Sequence, residues 1–256
     1  MRFGSTTFAI AAIVAAAIFA RLGVWQIDRL EQRRNANRLR AEREHLPVLE
    51  LDAVTAWDEG ADSLAWRRVR VHGAYDYRSE IVVRGRSRDG VPGVYVVTPL
   101  RVAPGAAILV LRGWLPASDG VSADLVAARS ADPDTASAPR ELVALALPGE
   151  PASPVAPRSH TYGDGEHLVL GSLAVDQASA GLGVRFPSVF LIPVSGGPEP
   201  APAGTGAPWP VEPPAPSDGP HLMYAVQWFG FALIALAGTV VYLNSRRGST
   251  RSGEKP

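Results

Sequence analysis

A histidine followed by two aromatic residues at helical spacing stands just before the last long apolar run of the sequence. His221 precedes Tyr224 and Trp228 by one and two helical turns, so the three side chains can share one helix face. Neutral imidazole is a good iron ligand, and aromatic rings suit the flat face of a porphyrin. The pattern predicts either a haem ligand or an interfacial histidine that contacts headgroups, and the residues alone favour the second.

A second polar cluster holds two histidines and two carboxylates within eight residues. His160, Asp164, Glu166 and His167 could meet around a divalent metal, as in a metal-dependent enzyme. The glycines among them are equally typical of the polar tip of a β-hairpin. We favour the hairpin and keep the metal site as an alternative.

Composition removes several function classes. The chain has 256 residues, a formal net charge of zero and no cysteine, which excludes thiolate chemistry and argues against nucleic acid as a partner. It contains neither a phosphate-binding glycine loop nor the strand-turn-helix motif of a serine hydrolase. We therefore do not expect an enzyme.

The first element that must position His221 is the apolar run that follows it. Residues 224–243 carry no charge over twenty positions, which is about 30 Å of helix and one hydrocarbon core. We predict a transmembrane helix over residues 221–243, followed by a basic cytoplasmic tail over residues 244–256. Trp228 and Tyr242 lie near the two ends, as membrane-interface residues do.

A first apolar run lies at the other end of the chain. Residues 3–20 are uncharged, and the helix can continue to residue 27 if Arg21 extends its guanidinium to the interface. A cleaved signal peptide is the alternative. We favour an anchor over residues 3–27, continued by a charged helical extension over residues 28–46 that Pro47 ends.

The two runs disagree about orientation. Four basic residues follow the second run and none lies in the twenty residues before it, which places the termini in the cytoplasm. Seven arginines follow the first run and only Arg2 precedes it, which indicates the opposite.

In the middle of the chain, many apolar residues recur at every second position. Short alternating or apolar segments separated by Asp-Gly and Pro-Gly turns predict one extracytoplasmic, mainly antiparallel β domain over residues 47–195, either a small barrel or a sandwich. The predicted strands are residues 66–75, 81–86, 94–98, 107–115, 141–147, 167–170 and 189–194, with one short helix over residues 173–180. A Pro/Gly-rich extended linker over residues 196–220 joins this domain to the second span. The fold class is thus a membrane-anchored α+β protein.

Three stretches together resemble the Surfeit-locus family of cytochrome c oxidase assembly proteins. The first is Leu22-Gly23-Val24-Trp25-Gln26 with Arg29, and the second is the Arg112-Gly113-Trp114 strand with its neighbours. The third opens the second span with His221-Leu222, Tyr224-Ala225 and Gln227-Trp228-Phe229. Pro220 departs from the family pattern, which has Asn there.

The resemblance implies an inner-membrane protein with cytoplasmic termini and a periplasmic β domain, which resolves the conflict in favour of the second span. It also implies a role in supplying haem a to subunit I of the oxidase, alongside other assembly factors. His221 would then contact haem a, and Trp25, Tyr224 and Trp228 would line the mouth of a cleft between the spans. For Gly23, Gln26, Arg29, Arg112, Gly113 and Trp114 we expect structural or partner-binding roles.

Two other classes stay open on the sequence. A membrane-tethered sensor or binding module would use the same anchors, linker and β domain without haem. A periplasmic metal-dependent enzyme would use His160 and His167. The sequence indicates neither the oligomeric state nor which oxidase the protein serves.

Overall fold

The computed structural model describes residues 4–51, 63–131, 139–194 and 206–251. Residue 3 of the predicted first span, residues 196–205 of the predicted linker and residues 252–256 of the predicted tail lie outside the described residues. The chain divides into a helix unit, Met1–Leu39 with Ala215–Pro256, and a β unit, Arg40–Pro214. We describe each unit by itself.

Two helices form the helix unit. Helix α1 runs over Ser5–Glu44, and the last helix, α4, runs over His221–Arg251. Their segments Thr6–Glu44 and His221–Ser245 are long and apolar enough to cross a membrane. Most of their large apolar side chains are exposed, as lipid-facing residues would be. The predicted spans are therefore helices, and the charged extension continues the first one.

The buried positions of the helix unit recur at intervals of three, four or seven residues, so they lie on one face of each helix. On α1 they are Ala16, Gly23, Gln26 and Leu30, and on α4 they are Ala225, Ala232 and Thr239. Gly23 lies directly against the ring of Phe229, since a Cβ there would come within 2.7 Å of it. Small residues at such an interface let two helix backbones approach closely, which is how apolar spans pair without a hydrophobic driving force.

Among the described residues, nine strands build the β unit. Their bounds are β1 Leu49–Leu51, β2 Arg68–Tyr75, β3 Ile81–Arg88, β4 Val91–Ala103, β5 Ala106–Pro116, β6 Arg140–Pro148, β7 Arg158–Tyr162, β8 Gly165–Leu170 and β9 Val189–Pro193. Two short helices accompany them, α2 over Leu125–Ala131 and α3 over Val175–Leu182. The seven predicted strands are all present, whereas β1, β7 and α2 were not predicted.

The strands close into a ring, which decides between a barrel and a sandwich. Strand β2 pairs with β6 along one edge and with the end of β4 along the other. The pairings β2–β6, β6–β9, β9–β5, β5–β4 and β4–β2 thus return to their start. Strand β3 pairs with the first part of β4, on the edge that β2 joins further along, and β8 and β7 extend the sheet from β3. The β unit is a small barrel with a three-strand extension.

Most of these pairings are antiparallel, as predicted, but two features of the topology were not predicted. Strand β2 pairs with β4 and not with its neighbour in sequence, β3. The pairings β1–β2, β3–β8 and β5–β9 are parallel. Closing the ring requires these long-range contacts, which turn spacing does not encode.

Three apolar clusters fill the β unit. One contains a residue from every strand of the ring and therefore lies inside it; its members include Val71, Leu100, Ile108, Ala144 and Leu191. The second lies beneath α3, which contributes Val175 and Ala178. The third lies beneath α2, which contributes Leu125 and Ala128. Both faces of β5 are buried as a result, which accounts for its near-continuous apolar sequence.

The predicted extended linker is partly a strand-like strap of the β unit. Trp209 exchanges two backbone hydrogen bonds with Trp114 of β5, at N···O distances of 2.7 and 2.8 Å. Their rings meet edge to face with centroids 5.9 Å apart. Arg88 adds a hydrogen bond to the Pro210 carbonyl at 3.0 Å. This Pro-rich segment, residues 206–214, is thus extended as predicted of a linker, but it is also paired with β5.

Candidate functional site

The strongest candidate site lies at the start of α4, where His221 contacts α1. The Nδ1 atom of His221 is 2.8 Å from Oε1 of Gln26, which is only 8 % exposed. Both residues lie on the stripe that joins the two helices, since His221 stands four residues before the buried Ala225. The sequence thus places a hydrogen-bonded imidazole at one end of the helix pair.

The segment before His221 is fixed to the same helix. Asp218 accepts hydrogen bonds from Arg34 Nε at 3.0 Å and from Asn37 Nδ2 at 3.3 Å. Gly219 follows with φ near 69°, a conformation that favours glycine. The Pro220 carbonyl then accepts the Tyr224 N–H at 3.2 Å, which starts the helix. Pro220 suits this position because the first turn needs no N–H donor there.

The predicted aromatic residues separate into two groups. Trp228 lies on the buried stripe and stacks on Phe19, with ring centroids 5.7 Å apart. Trp25 and Tyr224 are 43 % and 47 % exposed and point away from the stripe. Within the described residues neither makes a ring contact with Trp228. Trp228 therefore lies between the two helices, whereas Trp25 and Tyr224 lie on exposed surface.

Arg29 and Gly23 have local roles. Arg29 donates a hydrogen bond to Gln32 at 3.0 Å, and its guanidinium lies 5.5 Å from the centre of the Trp25 ring. Gly23 admits the Phe229 ring. Gly23 therefore contacts the facing helix, whereas these contacts of Arg29 lie within α1.

Arg112 enters the interior of the β unit through an irregularity in β5. Val96 pairs with Gly113 and Val97 pairs with Leu111, so Arg112 is an extra residue in the ladder. Such a β-bulge redirects a side chain. The side chain of Arg112 is accordingly 5 % exposed although its strand is otherwise apolar.

The guanidinium of Arg112 belongs to a buried charge cluster. It lies between the rings of Tyr75 and Tyr77, 4.7 and 5.1 Å from their centres, and 4.0 Å from a carboxylate oxygen of Glu80. Glu80 is 1 % exposed and also accepts a hydrogen bond from Thr98 at 2.8 Å. This is the arrangement expected if Arg112 has a structural role.

Arg129 of α2 extends the cluster to the β7–β8 hairpin. It donates to Glu80 Oε2 at 2.8 and 3.0 Å and lies 2.5 Å from Asp164. Burial alone would raise the pKa of Asp164, but hydrogen bonds from Arg129 and His167 outweigh it, so the pKa lies below its ordinary value. Arg129 joins Glu80, just before β3, to Asp164, in the turn between β7 and β8. The two carboxylates are far apart in the chain, which explains why the sequence did not reveal Glu80.

His160 and His167 face each other across that hairpin, as the hairpin interpretation predicted. His167 is buried, with Nδ1 3.1 Å from the Glu80 carbonyl and Nε2 3.1 Å from Asp164. The ring of His160 meets Tyr162 edge to face. Within the described part of the chain no group of three or more His, Cys, Asp or Glu side chains is placed to hold a metal.

Gly113 and Trp114 hold the strap. A Cβ on Gly113 would lie 2.6 Å from the Trp209 carbonyl oxygen and 2.7 Å from Pro208. Trp114 is buried and forms one wall of an open cleft of about 300 Å³ beside the strap. Tyr95, Arg88 and Val211 form other parts of that wall.

Comparison with known proteins decides the family. A family model described as SURF1 family matches residues 13–233, which is most of the chain and includes the barrel, most of α1 and the first part of α4. The chain belongs to the SURF1 family. The resemblance inferred from the three sequence motifs is therefore confirmed, and so is the membrane-anchored α+β fold.

Relatives in this family come from bacteria and a plant. A SURF1-like protein of Rickettsia bellii is 25% identical over 245 residues, covering 94% of this chain and 93% of the relative. Surfeit locus protein 1 of Arabidopsis thaliana is 34% identical over 112 residues, covering 40% of this chain and 32% of the relative. An uncharacterised SURF1-like protein of Mycobacterium tuberculosis is 26% identical over 222 residues, covering 86% of this chain and 76% of the relative.

Proposed function

We propose that this protein assists the assembly of cytochrome c oxidase by holding haem a at the head of α4 for subunit I. Membership of the SURF1 family and the two candidate spans support a membrane-bound assembly role. The proposal assigns binding of a cargo and no catalytic reaction. Subunit I and other assembly factors are the partners it implies, together with membrane lipid.

One observation carries the proposal, namely that the single histidine of the helix unit lies on the stripe between the two helices. A histidine with only a headgroup role has no need to contact the facing helix. His221 does so, through Gln26 Oε1 at 2.8 Å. Metal-binding histidines are commonly oriented in this way by a hydrogen bond from the second ring nitrogen.

The surroundings of His221 suit haem a as a cargo. Its iron takes neutral imidazole as an axial ligand, and its ring is a large flat apolar surface. The exposed apolar residues of α4 near His221, such as Leu222 and Tyr224, offer a surface of matching character. Arg33 and Arg38 are exposed on the part of α1 that continues beyond the apolar run, where propionates would be attracted.

For the location we propose the inner membrane, with both termini in the cytoplasm and the β unit in the periplasm. The support is the set of basic residues that follow α4's apolar segment, combined with their absence before it. The arginines after the first apolar run would then be periplasmic. Their helix carries Asp28, Glu31, Glu42 and Glu44 as local counter-charges.

Spectroscopy of the purified protein tests the haem proposal. The full-length protein is purified in mild detergent from cells that make haem a, as wild type, His221→Ala and His72→Ala. His72 is an exposed histidine on β2 and serves as the matched control. We expect Soret absorbance in the wild type and in His72→Ala, and its loss in His221→Ala. Equal absorbance in all three, or none in any, would overturn the proposal.

Reporter fusions test the location. Alkaline phosphatase is active only outside the cytoplasm, so a fusion after Arg140 should be active, and one after residue 251 should be inactive. The reverse pattern would reverse the orientation and place His221 at the cytoplasmic surface.

The cleft beside Trp114 supports a second candidate, a membrane-tethered binding module. Its volume of about 300 Å³ and its aromatic wall are typical of sites for small ligands or extended peptides. This candidate predicts that substitutions at Tyr95, and not at His221, abolish the cellular role. Loss of function in Tyr95→Ala with full function in His221→Ala would select it.

A further inference from the structure

The hydrogen bond between His221 and Gln26 carries information about the tautomer of the imidazole. A neutral imidazole has one nitrogen that donates and one that accepts. The Oε1 atom of Gln26 can only accept, and it faces Nδ1 of His221 at 2.8 Å. With the amide in this orientation the hydrogen is on Nδ1, which leaves the lone pair on Nε2.

The space beside Nε2 is kept clear by a glycine. A Cβ at position 219 would lie 3.3 Å from Cδ2 and 3.5 Å from Nε2 of His221. A side chain longer than alanine would extend further over that edge of the ring. Nε2 also makes no hydrogen bond to any residue that the structure describes. The atom with the lone pair is thus the one the structure leaves accessible.

The position of Gln26 in the helix pair allows it to determine which ring nitrogen of His221 carries the hydrogen. It lies between Gly23 and Leu30 on the buried stripe of α1, one helical turn from each. A buried amide in apolar surroundings loses much free energy without a partner, so the bond to His221 is strongly favoured there. Asp218 fixes the chain before His221 through its ion pair with Arg34.

We propose that Gln26 is a positioning residue that holds His221 in the Nδ1–H tautomer and presents Nε2 as the ligand atom. In water the neutral histidine side chain favours the opposite tautomer, with hydrogen on Nε2. Gln26 therefore changes which nitrogen can bind a metal ion. The identity of that ligand as haem rests on the proposed function, whereas the tautomer does not.

The opposite orientation of the Gln26 amide makes the opposite prediction. If its NH2 group donated to Nδ1, the hydrogen of the imidazole would lie on Nε2. That nitrogen could not then bind a metal without first losing its hydrogen. Identifying the tautomer therefore decides the proposal directly.

Nitrogen NMR of the ring measures the tautomer without any haem. The full-length protein is labelled with ring-15N histidine in detergent and studied above pH 8, where histidine with its ordinary pKa of about 6.5 is neutral. The His221 signals are those absent from His221→Ala. We expect a protonated Nδ1 and an unprotonated Nε2 in the wild type. A protonated Nε2 in the wild type would overturn the proposal.

Variants of Gln26 test whether this residue is the cause. Gln26→Met keeps the volume but removes the acceptor, so hydrogen should move to Nε2. Gln26→Glu keeps an acceptor, so Nδ1 should stay protonated. Gln227→Met is the matched control, because Gln227 is exposed on α4. An unchanged tautomer in Gln26→Met, with helix content equal to that of the control, would contradict the proposal.

Titration with haemin adds a readout of ligand binding. Loss of an orienting partner commonly lowers metal affinity by about 10- to 100-fold, so we expect a weakening of that order in Gln26→Met and little change in Gln26→Glu or Gln227→Met. Equal affinity in Gln26→Met and the control would remove the positioning role. If wild type and His221→Ala bind haemin equally, the proposed function fails, while the NMR result still decides the tautomer.

Discussion

The helix unit and the β unit both bury polar side chains, but they satisfy them differently. In the β unit, Glu80 faces Thr98, Arg112 and Arg129, and Arg129 reaches on to Asp164. In the helix unit, a single hydrogen bond joins His221 to Gln26. In the β unit the buried charges pair with one another, whereas in the helix unit one ring nitrogen of His221 is left accessible to a ligand.

The difference suggests how to separate structural from functional polar residues in this protein. The residues around Glu80 fill the space between the apolar clusters of the barrel, and the enclosed charges stabilise each other only if all are present. The imidazole of His221 has one nitrogen fixed and the other accessible. Variants of the first group should therefore affect folding, and variants of the second should affect binding.

The largest effect is expected from Glu80→Gln. Removing one partner of a buried ionic cluster leaves charges without compensation, which typically costs about 3–5 kcal/mol in the free energy of unfolding. The change is measured by chemical unfolding of the full chain in detergent, followed by tryptophan fluorescence. Glu166→Gln is the control, because Glu166 is exposed on β8. Similar small changes for both variants would mean that the cluster is not structural.

A smaller effect is expected from Gly113→Ala. The new Cβ would overlap the Trp209 carbonyl, and relieving such a clash costs about 1–3 kcal/mol. Limited proteolysis should then cut the strap, residues 206–214, faster than in the wild type. Gly163→Ala is the control, since its Cβ would meet only Val126 at an ordinary 3.5 Å. Equal cleavage of the two variants would show that the strap does not depend on β5.

Gly23→Ala tests close packing in the helix unit. Its Cβ would come within 2.7 Å of the Phe229 ring, which must rotate away, so we expect a loss of about 1 kcal/mol on thermal unfolding. Gly238→Ala has open space and should be neutral or slightly stabilising through helix propensity. If both variants are equally stable, Gly23 is not a packing contact.

The smallest effect concerns pH and belongs to the β unit. Hydrogen bonds from the Ser122 side chain and from the N–H groups of Ser122 and Val121 lower the pKa of Asp119 to about 2. Because this folded-state pKa lies below the unfolded value, the contribution is present above about pH 4 and is lost as pH falls towards 2. Asp119→Asn should flatten the pH dependence of unfolding in that range. An unchanged slope would contradict this assignment.

Local patterns predicted most elements of the fold. The uncharged runs that are long enough to span a membrane lie in helices α1 and α4. The segments with a period of two are strands, and their bounds lie within a few residues of the predicted ones. Ring closure through β2 and β4 was not predictable, because it depends on pairing between residues distant in sequence. The strap was missed because Trp209 is a single apolar residue among prolines, and only the unpaired edge of β5 shows what it binds.

The site was predictable in part. His221 was identified from its residue type and its place before a span, without knowledge of what it contacts. Gln26 was named only through the family resemblance, although a lone amide three residues after Gly23 on an apolar face is itself a signal. Glu80 was missed, because a carboxylate before a strand is ordinary until the fold brings Arg112 and Arg129 to it.

The most direct test of the central claim is the haem a content of the oxidase itself. Cells lacking this protein are complemented with the wild type, His221→Ala or His72→Ala, and the haem a of purified oxidase is measured per subunit I. We predict normal content with the wild type and His72→Ala, and a marked deficit with His221→Ala. Normal haem a content in the His221→Ala strain would contradict the account.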